Sequence, residues 1–195
     1  MNVIVGRQKN VADLELQESN NLDGFLGYVD TNHIDKKNDS IADYPISWDK
    51  TWMDICNIIA QRSKDPVRKI GALIVNDDHK IISLGYNGMP KVMDGLDNDK
   101  IYPWDKNKNN VEDNKYAYVV HAELNAILNA SQSVKGCTLY VNYNCCNECC
   151  KAIIQSGIKK VVYMNKKDKS IYNIGRTMLR YAGIETIEYK SNEEK

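Results

Sequence analysis

At 195 residues the chain is long enough for one domain with a full-sized hydrophobic core. Its 26 basic and 26 acidic side chains cancel to a formal net charge of zero, which argues against a polynucleotide substrate, since such proteins carry a basic surface for the phosphate backbone. No apolar run approaches a membrane span, and the start, Met1 to Arg7, has too short an apolar run for a secretory segment.

Six cysteines without an export signal point to a reducing, cytoplasmic setting and to metal or catalytic use. Four of the six crowd between Cys145 and Cys150, unlike the spread of a disulfide framework.

Residues 1–45 are polar, rich in Asn and Asp, and interrupted by one compact apolar patch at Gly24–Val29. That composition reads as a weakly ordered N-terminal extension ahead of a folded domain over 46–190. Ser47 is placed to cap a helix with Trp48, Trp52, Ile55 and Ile59 on one face. The helix should end near Ser63–Pro66, because the residue before a proline is pushed out of helical geometry. Ile70–Val75 and Lys80–Tyr86 read as two strands joined through the turn Asn76-Asp77-Asp78, hence an antiparallel hairpin.

Met89–Val120 then breaks the rhythm. Loops of this length inside a domain are often binding loops or lids. The apolar knot Tyr102-Pro103-Trp104 favours a partly ordered lid, whereas the Lys106–Asn114 half reads as a disordered low-complexity insertion. A helix follows from His121 through Leu124, Ile127 and Leu128, and then a strand at Cys137–Val141. A second helix begins inside the cysteine cluster and runs through Ile153 and Ile154 to a stop at Gly157. Lys160–Met164 reads as a strand, Ser170–Ala182 as a helix closed by Gly183, and Ile184–Tyr189 as the last strand. Strands alternating with helices at this end require parallel crossovers, so the fold class is α/β, a mixed five-stranded sheet with helices on both faces.

Chemistry concentrates between Val120 and Cys150. His121, Cys146 and Cys149 are ligand types that zinc prefers, and a catalytic zinc takes three protein ligands with its fourth position left for water. Glu123 is not needed to complete that set, and an acid/base beside a metal-activated water is the apparatus of hydrolysis. Both halves fall at helix N-termini, where unpaired N–H groups and the helix dipole favour thiolate over thiol. Spacing does not choose among Cys146/Cys149, Cys145/Cys149 and Cys146/Cys150, all of which share a helix face. Cysteines outside the ligand set, with Cys56 and Cys137, read as small buried hydrophobes, and His33 and His79 as surface residues.

His121-Ala122-Glu123 followed by Cys146-Asn147-Glu148-Cys149 is similar to the signature of zinc nucleobase deaminases. The stretches Ala60–Pro66, Gly85–Pro90, Lys115-Tyr116, Tyr118-Val119, His121–Ile127 and Ser156–Lys159 narrow the likeness. Over roughly Trp48 to Met164 the chain resembles the deoxycytidylate (dCMP) deaminases of the zinc-dependent cytidine/deoxycytidylate deaminase family. The resemblance implies the three-layer cytidine deaminase-like fold, one zinc per subunit on His121, Cys146 and Cys149, and Glu123 as catalytic acid/base. It implies hydrolysis of dCMP to dUMP and ammonia, supplying thymidylate synthesis. Asn87 and Lys64 are the implied substrate contacts, with Arg62 and Lys115 as further cations for the phosphate. Gly85, Tyr86, Asn87 and Gly88 resemble the segment of the triphosphate effector site, implying activation by dCTP and inhibition by dTTP. A cytoplasmic homo-oligomer, a hexamer by resemblance, is implied too, with no nucleic-acid or membrane partner.

The chain departs from that pattern in three places. Cys145 stands where the signature has Pro, Tyr143-Asn144 replace apolar residues just ahead of it, and Asp105-Lys106 replace two arginines of animal relatives. Two rival readings remain: another nucleoside or nucleobase deaminase, or a catalytically inactive zinc fold serving as a regulatory subunit. Cys145 or Cys150 as a fourth ligand would favour the latter, because structural zinc sites are closed.

Overall fold

Ser47 begins the first helix as expected. In the computed structural model, which describes residues 45–91, 101–106 and 109–190, its hydroxyl accepts a hydrogen bond from Lys50 N at 3.2 Å and caps α1 (Trp48–Ala60). The expected extension at 1–45 lies outside the described residues apart from its last position.

The face that α1 buries is rotated from the one its large residues suggest. Trp52, Met53, Cys56 and Ala60 face inward, while Trp48 is half exposed and stacks on His79 at 4.3 Å between ring centres. Close approach of backbones is the reason. The helix lies over Gly71, where an added Cβ would collide with the Cys56 carbonyl and come within 2.8 Å of Ala60 N. Small residues on the helix and none on the strand permit that contact, and Ile55 and Ile59 move to its partly covered flanks.

Strands β1 (Gly71–Val75) and β2 (Ile81–Tyr86) form the expected hairpin, with Asn76 Oδ1 accepting Lys80 N at 2.8 Å across the turn. The chain then passes through the long loop to α2 (Ala122–Leu128), β3 (Thr138–Tyr143), α3 (Asn147–Gln155), β4 (Lys160–Asn165), α4 (Ser170–Tyr181) and β5 (Glu185–Glu188). The sheet order is β2-β1-β3-β4-β5, antiparallel across β1/β2 and β1/β3 and parallel across β3/β4 and β4/β5. It is the mixed five-stranded sheet expected, and helices cover both faces. Leu73, Val75, Tyr140 and Val162 pack on Trp52, Met53 and Cys56 of α1. On the other face, Ala72, Ile74, Leu139, Val141 and Val161 pack on Ala122, Ala126, Ile153 and Leu179 of α2, α3 and α4. Burial on both faces is why the central strands read as continuous apolar runs.

Part of the long loop differs from expectation. Residues 92–100 and 107–108 lie outside the described ones, but 109–118 carry two 3-10 turns, Val111–Asp113 and Lys115–Ala117. Asn110 caps the first and Asn114 the second, so the Asn-rich composition that suggested disorder supplies local side-chain-to-backbone bonds. The Tyr102 ring of the apolar knot tilts against Tyr118, 5.0 Å between centres. Among the described residues no helix is long and apolar enough to cross a membrane.

Gly71→Ala should lower stability by at least about 2 kcal/mol, the cost of overpacking a close backbone contact. The midpoint of urea unfolding reads it, and an unchanged midpoint would contradict the α1–β1 packing described.

Candidate active site

The helices α2 and α3 begin with residues that are poor caps. His121 and Cys146 hold the N-cap positions in extended geometry, and neither side chain makes a capping hydrogen bond. Ser, Thr, Asp or Asn would be expected there. Freed from capping, both side chains turn toward each other. His121 Nδ1 lies 3.4 Å from Cys146 Sγ and 3.3 Å from Cys149 Sγ, and the three ligand atoms all lie within 4.8 Å of one another.

That donor set fits zinc. A tetrahedral ion at about 2.1 Å from nitrogen and about 2.3 Å from sulfur separates the two by roughly 3.6 Å, close to the spacing found. The geometry also chooses among the cysteines. Cys145 and Cys150 stay outside the group, both buried, with Cys150 Sγ directed to the Cys145 carbonyl at 3.9 Å. Bonding to Cys150 and burial push the Cys145 thiol well up, away from the thiolate a ligand must be.

The protons are unequally shared within the group. The Cys149 thiol donates to Cys146 and, with His121 beside it, outweighs burial to bring Cys146 down to about 4. As the donor, Cys149 is pushed up, and burial adds to it. The hydrogen bond to Cys146 raises His121 against the opposing effect of burial. Cys146 is thus a thiolate already, while the Cys149 proton is one that metal binding would release.

Glu123, in the first turn of α2, is 4 % exposed, and its Oε2 is buried without a hydrogen-bond partner. Burial raises its pKa, opposed by the charge of His121, while Cys146 adds to the rise. A buried carboxyl with one oxygen unpartnered, electrostatically coupled to two metal-type ligands, is poised for proton transfer. Close helix–strand packing fixes where it sits. α2 rests on Gly85 of β2, where an added Cβ would come within 2.5 Å of the Ala122 carbonyl.

Beside this group the segment after α1 is organised by one buried ion pair. Asp65 Oδ2 accepts from Lys115 Nζ at 2.5 Å and from Asn87 Nδ2 at 3.2 Å. Its Oδ1 accepts the Val67 and Arg68 amides at 2.8 and 3.1 Å. Burial would raise the Asp65 carboxyl, but Lys115 and the two amides outweigh it and hold it below the ordinary carboxylate range.

Lys115, expected as a reserve cation for phosphate, is therefore committed to structure. Both amide hydrogens of Asn87 are also used, the second on Arg68 O at 3.0 Å, and its Oδ1 accepts Ile70 N at 2.8 Å. Gly88 bridges to Val120, tying the residue before His121 to the end of the hairpin. Gly85, Tyr86 and Gly88 frame that connection, and Lys64 and Arg62 are exposed on the turn after α1.

Two cations were missed in the sequence, Arg68 and Lys167. Both approach the Tyr143 ring, at 5.1 and 4.6 Å from its centre. Lys167 follows β4, and loops after the carboxyl ends of parallel strands are where ligand sites gather in α/β sheets. That rule was the available signal.

Comparison with known proteins agrees with this geometry. Residues 46–165 match the family described as the cytidine and deoxycytidylate deaminase zinc-binding region. The chain is 46 % identical over 142 residues to the deoxycytidylate deaminases of Mus musculus and Homo sapiens, covering 71 % of this chain and 78 % of each relative. A solved structure of dCMP deaminase from the cyanophage S-TIM5 in complex with dCMP and dUMP is 27 % identical, with a TM-score of 0.57 over 72 % of this chain and 95 % of that one.

Fold and site together define a deaminase enzyme with a zinc-compatible His/Cys/Cys group. The chain belongs to the cytidine and deoxycytidylate deaminase family.

Breaking the buried pair should be costly. Lys115→Met leaves Asp65 buried and uncompensated, with an expected loss of about 3–5 kcal/mol. Because the folded Asp65 pKa is depressed, the pair's contribution is present above the ordinary value of 3.8 and is lost as the pH falls through the lower folded value. Urea titrations should therefore show wild type and variant converging below that pH.

Proposed function

We propose that this protein hydrolyses dCMP to dUMP and ammonia, and so supplies dUMP for thymidylate synthesis. The observation that carries the reading is the unpartnered, buried Glu123 oxygen beside the converging His121, Cys146 and Cys149. The names of the relatives support the choice of substrate.

A zinc ion on these three ligands, one per subunit, supplies Lewis-acid activation of water. Glu123 takes the proton that the attacking water gives up as its oxygen bonds to C4 of the cytosine ring. The raised pKa of Glu123 lets it hold that proton and pass it to N3. The C4–N bond then breaks, and Glu123 carries the second water proton to the departing amine, so that ammonia leaves and the uracil carbonyl forms.

Asn87 enters as a substrate contact through the second lone pair of Oδ1, the one group on its side chain still available. Lys64, exposed on the turn after α1, is the cation that the resemblance offers for the substrate phosphate. Regulation by dCTP and dTTP at Gly85, Tyr86, Asn87 and Gly88, a hexameric homo-oligomer and a cytoplasmic location complete the proposal, and all of these rest on the resemblance. The polar extension at 1–45 is proposed as a separate segment ahead of a catalytic domain over 46–190.

Ammonia release by the purified protein, with dCMP, cytidine and deoxycytidine and with or without dCTP, tests the reading. Preference for dCMP is expected, whereas preference for cytidine would move the protein to the other nucleoside deaminases. Glu123→Gln should reduce kcat by about 10²- to 10⁴-fold, the range of a positioned acid/base. Normal turnover by that variant would overturn the mechanism. Bound zinc, read by atomic absorption, should approach one per chain and fall in Cys149→Ser.

A further inference from the structure

The two edges of the sheet are finished differently. On β2 side chains close the outward carbonyls, Asn125 Nδ2 donating to Tyr86 O at 2.8 Å and Asn129 Nδ2 to Leu84 O at 3.4 Å. At the other edge β5 is open, and among the described residues no strand pairs with its outer side. Successive residues of a strand turn their N–H and C=O groups to opposite sides within the sheet. Glu185 N donates to Lys159 O at 3.1 Å and Tyr189 N to Tyr163 O at 2.7 Å, both toward β4. The main-chain groups of Thr186 and Glu188 therefore face outward. An unpaired row of that kind is a template for another strand.

A cleft of about 490 Å³ runs beside this edge, between α4 and β5, with Tyr163, Arg176, Arg180 and Thr186 in its wall. The two arginines are one turn apart on α4 and share a face. Arg176 Nη2 donates to Asp168 Oδ1 at 3.3 Å and to Asn173 Oδ1, but its Nη1 is buried without a partner. A charged donor left buried and unmet is costly. Arg180 makes no ion pair among the described residues and rests 5.2 Å from the centre of the Tyr181 ring.

The carboxylates of the same strand do not answer these arginines. Glu185 turns to Lys160 Nζ at 3.6 Å. Glu188 accepts from the Tyr163 hydroxyl at 3.4 Å and pairs with neither arginine. Ile187 and Tyr189 pack toward α1, so Thr186 and Glu188 lie on the face of the sheet that carries α4. An open edge and a guanidinium short of an acceptor thus stand side by side on one face.

We propose that β5 pairs antiparallel with β5 of a second copy of this chain, across a two-fold axis at Ile187, and seats Glu188 of the partner subunit between Arg176 and Arg180. The register follows from the strand itself. Outward residues pair with outward residues, and the axis at Ile187 is the one that uses both of them. Thr186 then stands opposite Glu188 of the partner subunit, and each such pair exchanges both of its N–H···O bonds. An axis at Glu188 would instead set two carboxylates face to face. Because Thr186 lines the cleft, the partner's Glu188 arrives where the acceptor is missing. On the opposite face Ile187 meets its own copy, a favourable β-branched pair. Two-fold pairing uses up the edge, so association closes there instead of running on as a fibre. The inference does not depend on the deaminase reading, and it gives a surface to the homo-oligomer that the resemblance implies.

Sedimentation equilibrium of the full chain tests the interface. Thr186→Pro removes an outward N–H and no bond to β4, so it should halve the mass of the assembly while the fold persists. Glu188→Arg and Arg180→Glu should each do the same through like-charge repulsion, and the double variant Glu188→Arg/Arg180→Glu should regain the wild-type mass. Far-UV circular dichroism matching wild type shows that each variant is folded, and if Thr186→Pro fails that check the charge-reversal set decides alone. A wild type with the mass of one chain overturns the proposal, as does an assembly that the charge reversals leave unaltered. Dissociation by both single reversals without recovery in the double variant also overturns it, by removing the direct pairing of Glu188 with the arginines. A monomer that binds a Glu-containing peptide in this cleft overturns the self-pairing and assigns the edge to another protein. Mass, not turnover, is read throughout, so failure here leaves the deaminase reading untouched.

Discussion

Two helices begin at the same point in space, and neither is capped by its own side chain. That constraint organises the molecule. His121 and Cys146 occupy N-cap positions and direct their side chains at each other. A helix start surrendered in this way forgoes roughly 1 kcal/mol of capping. It gains a helix start whose N–H groups and dipole favour a thiolate at Cys146, to which the Cys149 thiol donates. The burial of Glu123 follows, since it lies in the first turn of the helix that His121 starts.

Such convergence tolerates little error, because a displacement of about 1 Å at a reacting centre costs on the order of 100-fold in rate. Rigid packing beneath it supplies the accuracy. α2 sits on Gly85 and α1 on Gly71, each at a distance that no side chain on the strand would allow. On the rim, Asp65 gathers Lys115, Asn87 and two backbone amides into one buried network. Buried polar networks are favourable only when satisfied, and every acceptor of Asp65 has a donor. Asn87 and Asn144 do matching work, one holding the backbone at Arg68 and the other the backbone at Lys167.

Most elements were readable because their signals are local. The cap at Ser47, the turn after Val75 and the stop at Gly157 depend on neighbours in sequence, and the observed bounds differ from the expected ones by a few residues at most. The inward face of α1 was misread because large apolar residues suggest a core face, while the approach of β1 demanded small ones at Cys56 and Ala60. The turns within 109–118 were missed because composition alone does not distinguish an unstructured Asn-rich stretch from one in which Asn caps each turn.

Residue types and their spacing were enough to nominate an imidazole, a carboxyl and a cluster of thiols, and to order helices and strands along the chain. Those are properties of adjacent residues and of periodicity. Which thiols meet the imidazole, that Cys145 and Cys150 turn away, and that Lys115 is locked to Asp65 were settled only by tertiary packing. So was the meeting of Arg68 and Lys167 at one ring. Contacts between residues a hundred positions apart follow from how strands pair and helices stack, and no local pattern encodes them.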